Sequence, residues 1–429
     1  MTVRKLGVVY QPGSIPILTL VAAIDGRWPL VWIVHEPLAP RELRMLRRFG
    51  ECVELGGVEV AESAERLRQL GVGGITTFAD AGLLQVAALG TALGVPVNPP
   101  EVALRLTSKL EQRTALAAAG LPTPRFCQLD PGLPEDALRR STDGLTFPVV
   151  VKPAVGTGGR DTLSVGSLTD LTAELGRRRS LGDMRTLIVE ECLGPYPPQA
   201  INGYGDYGSV EIVVAAGRLV VLAVTGRMPL APPFRETGMF APSHLDSDEQ
   251  ETVAATAASA VRALGVEVGC MHVEIKLTAD GPRVIEVNGR VPGGGIPDIV
   301  LTASGDDLYA AAAAAAMGEP VSQTEARSAC VSYAFALQPP VGQPSRLVSD
   351  WRKRLTAVPG VRQFELRAES ATVQPSDGSY GYLLLVGGEV ASHEALHGVQ
   401  AQLKALIEPD PELEFQRPAT DTRLPDQPR

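Results

Sequence analysis

Residues Cys270 to Asp298 read CMHVEIKLTADGPRVIEVNGRVPGGGIPD. Met271 to Leu277 alternates with period two, Ala279-Asp280-Gly281-Pro282 has turn chemistry, and Arg283 to Asn288 resumes the alternation, so a β-hairpin is expected. Successive side chains of a strand point to opposite faces. This places His272, Glu274 and Lys276 on one face of the first strand, and Glu286 and Asn288 on one face of the second. Paired across the hairpin, Glu274, Glu286 and Asn288 converge as hard oxygen ligands, the kind that holds Mg²⁺ together with substrate phosphates. Arg290 and the run Gly293-Gly294-Gly295 follow directly, offering a cation and approachable backbone N–H groups to an anion. An ordinary exposed hairpin with a glycine loop would show the same pattern, because short carboxylate spacings are common.

Working outward, 429 residues exceed one compact core, and two to four subdomains are expected. A hydrophobic content of 45% with 21% charged residues is that of a soluble globular protein. The formal net charge of −10 argues against a nucleic-acid partner, which is normally met by a basic patch. Five cysteines are scattered without CxxC spacing, so neither a disulfide framework nor a cysteine zinc site is indicated and a reducing cytoplasm is expected. The start MTVRKLGVVYQPGS reads as the approach to a strand and not as a signal peptide. The run Ala310 to Ala316 is too short to span a bilayer and reads as a buried helix, so no membrane partner is expected.

Residues 3 to 100 alternate apolar runs (Leu6–Tyr10, Leu30–Val34, Gly74–Phe78) with helical patterns (Pro40–Phe49, Ser63–Leu70, Ala81–Leu93), which predicts a three-layer α/β domain over 1–105. The loop Tyr10 to Ser14 has neither GxGxxG nor Walker spacing, so no nucleotide site is placed there. A helix starting near Glu101 or Thr107 and running to Ala119, stopped by Gly120, opens a second unit, 106–191. Within it, Phe147 to Pro153 is a strand carrying Lys152, followed by the loop Gly156-Thr157-Gly158-Gly159 and a returning strand, Thr162 to Val165. That arrangement is a flap whose N–H groups can cover phosphates; a hairpin whose glycines merely permit positive φ has the same sequence. Leu187 to Leu193 is a strand ending in the paired carboxylates Glu190 and Glu191. A third unit, 192–320, begins with a hairpin about Gly217 and a proline-rich loop, Met228 to Pro242. A C-terminal α+β unit, 321–429, has strands Cys330–Leu337, Val361–Leu366 and Tyr380–Val386 and a helix after Ser392, and is expected to act as a lid or a homodimer contact. Its tail, Pro418 to Arg429, is polar and expected to be disordered.

Five of these stretches occur in one order: SKLEQRTALAAAGLPTP, FPVVVKPAVGTGG, LIVEECL, FRETGMFAPS, and HVEIKL with VIEVNGRVPGGG. Over roughly residues 75 to 320 the chain resembles the ATP-grasp superfamily of carboxylate–amine ligases, and within it is most similar to the ligases that join two amino acids into a dipeptide. The resemblance implies an ATP-grasp fold with a pre-grasp α/β domain, a two-part ATP-binding core and a C-terminal α+β unit. It makes Lys109 and Lys152 the phosphate-binding lysines and Gly156, Gly158 and Gly159 the mobile loop. Glu190, its neighbour Glu191 and the backbone around Leu193 become the adenine-binding hinge. Glu274, Glu286 and Asn288 become ligands of two Mg²⁺ ions, which Mn²⁺ can replace, and Arg290 the arginine beside an acyl phosphate. The implied substrates are ATP and small amino acids or peptides.

The implied chemistry is attack of a carboxylate on the γ-phosphorus of ATP, then attack of an amine on the acyl phosphate, with Arg290 and the N–H groups of Gly293 to Gly295 at the oxyanion. Glu236 would meet the amino group. Two positions depart from the dipeptide ligases: Met239 stands where histidine is frequent, and Gly294 stands where one such ligase carries a tryptophan that restricts the acid, which suggests a roomier pocket. A ligase for another acid, including a γ-glutamyl group, or an inactive ATP-binding module are the alternatives. His393-Glu394-Ala395-Leu396-His397 matches the HExxH signature of zinc peptidases, but Ser392 reads as the N-cap and the stripe Leu396, Val399, Leu403, Leu406 reads as packing.

Overall fold

The computed structural model describes residues 3–194, 202–325 and 329–414; the tail from Pro418 onward lies outside them. Strands β1 (Lys5–Val9), β2 (Leu30–Val34), β3 (Gly50–Glu54) and β4 (Val72–Thr77) form a parallel sheet ordered β3-β2-β1-β4. The apolar runs find β1, β2 and β4. β3 escapes them because an edge strand is half exposed and GECVE has no apolar run. Leu6, Val8, Trp32 and Val34 share a core with Leu20, Ile24 and the helix Leu308–Ala316, while Val9, Val31 and Ile33 pack with Leu67 and Leu89 on the other face. The result is the expected three layers.

The alanine run earns its burial by size. The helix Leu308–Ala316 lies between the parallel sheet and the main sheet of the molecule, contacting β4 on one side and the β9–β12 region described below on the other. Approach there is close enough that a Cβ on Gly74 would stand 2.4 Å from the Ala316 carbonyl oxygen. The single helix expected through 101–119 is two, Pro100–Thr107 and Lys109–Ala118. Ser108 takes extended φ/ψ between them, and its hydroxyl caps the Glu111 N–H at 3.4 Å. Lys109 is thereby the first residue of a helix.

A second sheet, β5 (Phe126–Leu129), β6 (Val149–Pro153), β7 (Leu163–Val165) and β8 (Leu187–Glu191), is antiparallel in the order β5-β8-β6-β7, with Leu138, Leu171 and Leu175 of two helices covering it. The main sheet has eight antiparallel strands. They are β9 (Tyr207–Ala215), β10 (Arg218–Arg227), β11 (Gly238–Ala241), β12 (Gly269–Lys276), β13 (Arg283–Asn288), β14 (Val331–Ala336), β16 (Val361–Leu366) and β18 (Leu384–Val390), ordered β13-β12-β9-β10-β11-β14-β18-β16. Its far face packs on the helix Ser247–Ala263 through Val210, Ile212, Met271, Val273 and Val287. A small sheet of β15 (Ser345–Leu347), β17 (Ser370–Ala371) and β19 (Ile407–Pro409) completes the chain.

The main sheet runs without a break across the boundary expected at 320/321, because β14 pairs with β11 and brings β18 and β16 with it. The C-terminal segment therefore shares its sheet with the preceding unit. β18 begins at Leu384 and not at Tyr380, since Pro375–Tyr380 forms a 3-10 turn that leaves the sheet. Among the described residues no helix is long and apolar enough to cross a membrane.

Candidate active site

β12 and β13 pair as the hairpin expected, with His272 opposite Asn288, Glu274 opposite Glu286, and a bulge after Glu274. The four side chains share one face. That face forms the floor of a cavity of about 260 Å³. Its walls include Lys109, Lys152, Gly156, Gly158, Gly159, Glu190, Glu191, Leu193, Glu236 and Arg290. Residues spread over 181 positions of sequence (109 to 290) thus meet in one place.

The cations are matched to anions. Lys109 Nζ lies 2.9 Å from Glu286 Oε1 and donates to the Gly156 carbonyl at 2.6 Å, which ties the helix start to both the hairpin and the flap. Lys152 Nζ lies 2.5 Å from Glu190, and Arg113 Nε donates to the same carboxylate at 2.8 Å. Arg113 also donates to the carbonyls of Val284 and Ile285 at 3.1 and 2.7 Å, so one buried guanidinium joins β8 to β13. Burial alone would raise the Glu190 pKa, but the Lys152 ammonium and then Arg113 overcome this and hold it at about 2. The Glu190 side chain is turned to these two cations, while Glu191 accepts from the Thr146 N–H at 2.7 Å at the outer rim.

A buried polar row, legible in sequence only as charges inside apolar strands, underlies the carboxylates. His272 Nδ1 lies 3.0 Å from Glu211 and its Nε2 3.6 Å from Glu274. Ser209 Oγ donates to Glu211 at 2.7 Å, and Arg227 donates to Ser209 Oγ at 2.9 Å and to Glu236 at 3.2 Å. The row follows from register, since His272 faces Glu211 and Glu274 faces Ser209 across β12 and β9. Burial would lower the His272 pKa, but the Glu211 carboxylate, helped by Glu274, pushes it up to about 9. Burial would likewise raise Glu274, yet the hydrogen bond and charge of His272 hold it well below the ordinary carboxylate range. Glu211 and Arg227 were not among the residues expected; SVEIVVA, with one acid in a fully buried strand, carries the signal.

Arg290 is held from outside the core. Its Nε donates to Asp80 Oδ2 at 2.9 Å, and Asp80 lies just beyond β4 in the N-terminal domain, where no local motif marks it. Gly293, Gly294 and Gly295 do not line the cavity. After Arg290 the buried Val291 and Pro292 carry the chain toward β11 and β14, so a Cβ on Gly294 would meet Met239 at 3.2 Å and one on Gly295 would meet Ala334 at 2.9 Å. Met239 is buried beneath Gly294, so the two departures from the dipeptide ligases are neighbours, and Gly294 has φ +68°. The expectation that Gly294 opens the acid pocket is corrected accordingly: its own surroundings are Met239 and a left-handed turn.

The HExxH spacing builds no metal cage. His393 is indeed the first helical residue, but the Ser392 side chain makes no capping bond. His393 Nε2 lies 2.9 Å from the Pro242 carbonyl oxygen, and His397 packs on Tyr204 with ring centres 4.7 Å apart. Leu396, Val399, Leu403 and Leu406 are buried as expected. Among the described residues no three His, Cys, Asp or Glu side chains are grouped to hold a metal by themselves. The hairpin offers two carboxylates and one amide, a donor set of the kind that Mg²⁺ uses together with phosphate oxygens.

The ATP-grasp domain family matches residues 145–298. Carnosine synthase 1 of Mus musculus is 29% identical over 276 residues, covering 59% of this chain and 32% of that protein. The L-arginine-specific L-amino acid ligase of Bacillus subtilis is 26% identical over 231 residues, 53% of each chain. The chain therefore spans about a third and about half of these relatives. The crystal structure of L-amino acid ligase from Bacillus licheniformis superposes with a TM-score of 0.72 at 21% identity, covering 94% of this chain and 98% of that one, a likeness of fold. By its matched domain and by its fold, the chain belongs to the ATP-grasp superfamily.

Proposed function

We propose that the chain is an ATP-dependent carboxylate–amine ligase that activates an amino-acid carboxylate as an acyl phosphate, joins it to the amine of a second amino acid or peptide, and releases ADP and phosphate. One observation carries the reading: Glu274, Glu286 and Asn288 share a single cavity with two lysines, a glycine flap, Arg290 and Glu236. The relatives named as amino-acid ligases favour amino-acid substrates.

Glu274, Glu286 and Asn288 would hold Mg²⁺, as two ions that Mn²⁺ can replace. When bound, the metal neutralises charge spreading over the transferring phosphoryl group. Lys109 and Lys152 already stand at the cavity wall beside the flap, so phosphate oxygens would compete with Glu286 and Glu190 for their ammonium groups. The flap N–H groups of Gly156 to Gly159 would cover the phosphates. Arg290, oriented by Asp80, would face the carbonyl oxygen as it becomes an oxyanion, and Glu236, oriented by Arg227, would take the ammonium of an amino-acid substrate.

A matrix of amino-acid pairs scored for phosphate release, with mass spectrometry of positive wells, tests the assignment. Oxygen-labelled acid should pass one labelled oxygen to phosphate, with ADP as the other product. Release of AMP and pyrophosphate would rule the mechanism out, and a stable phosphorylated product would make the protein a kinase.

A further inference from the structure

The C-terminal turn Pro375–Gly381 reaches back to the glycine flap. The Ser379 N–H donates to the Gly158 carbonyl at 2.9 Å, and the Arg160 guanidinium lies 4.9 Å from the centre of the Tyr380 ring. The contact is glycine against glycine. A Cβ on Gly378 would stand 2.3 Å from the Gly158 carbonyl oxygen, one on Gly158 would stand 2.2 Å from the Tyr380 ring, and both residues have positive φ (+56° and +66°). Such mutual fit leaves room for no side chain at either position.

Ser379 has a second set of partners. Its hydroxyl accepts from the Glu236 N–H at 3.0 Å, and its carbonyl accepts from Gln338 Nε2 at 2.7 Å. The same Gln338 nitrogen donates to the Glu236 carbonyl at 3.0 Å. Ser379 also lines the cavity. The nucleotide flap, the backbone of the substrate carboxylate and the cavity wall therefore meet at one residue of the segment that had shown no chemistry.

We propose that the turn Pro375–Gly381 is the seat on which the glycine flap closes, and that Ser379 is a positioning residue coupling the seated flap to Glu236. The inference rests on the nucleotide reading of the same cavity. A seated flap keeps water from the acyl phosphate until the amine arrives. Unseated, water attacks the acyl carbon, the C–O bond to phosphate breaks, and acid and phosphate leave with no C–N bond formed.

The test uses the full chain with Tyr380→Ala, Ser379→Ala and the conservative Tyr380→Phe, which keeps the ring under Arg160. Calorimetry with Mg·ADP on the wild type comes first. Trypsin cleavage after Arg160 is then followed with and without the non-hydrolysable analogue Mg·AMP-PNP, and phosphate is compared with ligated product for an active pair. With one charge–ring contact or one hydrogen bond lost, cleavage of nucleotide-bound Tyr380→Ala and Ser379→Ala should be roughly tenfold faster than wild type. Both should release more phosphate than product, and Tyr380→Phe should match wild type in both respects. Equal cleavage rates and a phosphate-to-product ratio unchanged in Tyr380→Ala and Ser379→Ala overturn the seat while leaving the ligase reading intact. Failure of the wild type to bind Mg·ADP overturns both.

Discussion

Glu190→Gln preserves shape and removes one charge from between two buried cations. Lys152 and Arg113 are 8% and 2% exposed, so neither can turn to water for compensation. Holding the carboxyl at about 2 against an ordinary 4.5 contributes roughly 3 kcal/mol at neutral pH by linkage. An independent route agrees, because breaking a buried pair by removing one partner costs about 3–5 kcal/mol. The sign follows from the direction of the shift. A depressed carboxyl pKa stabilises fully above its unfolded value near 4.5 and loses that contribution as pH falls toward 2, with roughly half gone near pH 3. Urea unfolding of wild type and variant at about pH 7, 5 and 3 reads the gap directly. The variant should be less stable by about 3 kcal/mol at pH 7, with the gap narrowing between pH 5 and 3. A gap below about 1 kcal/mol at pH 7, or one that stays constant with pH, would refute the ion triad as a stabilising centre.

Three further substitutions follow from the site. Glu286→Gln should lower turnover at least about a hundredfold and weaken Mn²⁺ binding seen by electron paramagnetic resonance, with circular dichroism unchanged; more than about a tenth of wild-type turnover would sink the metal assignment. Asp80→Asn removes the charge that orients Arg290, so kcat should fall about tenfold or more while nucleotide affinity holds; an unaltered kcat would remove Asp80 from the site. Gly294→Trp meets a left-handed backbone costing roughly 1–2 kcal/mol and the buried Met239, so kcat/KM for one large and one small acid should fall together. A loss confined to the large acid would restore Gly294 to the acid pocket.

The hairpin was legible because its information is local: a period-two alternation and a turn put Glu274, Glu286 and Asn288 on one face before any tertiary contact is known. The same holds for the flap, for three of the four parallel strands, and for the alanine helix, each written in a continuous run of residues. Asp80 at Arg290, Glu211 behind His272, Arg227 at Glu236, and Ser379 against Gly158 were not written that way. Each joins elements distant in the chain, and an isolated acid, arginine or serine carries no period that names its partner. Lys152 and Glu190 show the limit most plainly, since the sequence by itself determined that both stand near a nucleotide flap. Only the packing of β8 beside β6 decided that they neutralise each other, because the pairing of two buried charges depends on register across a sheet and not on spacing along a strand.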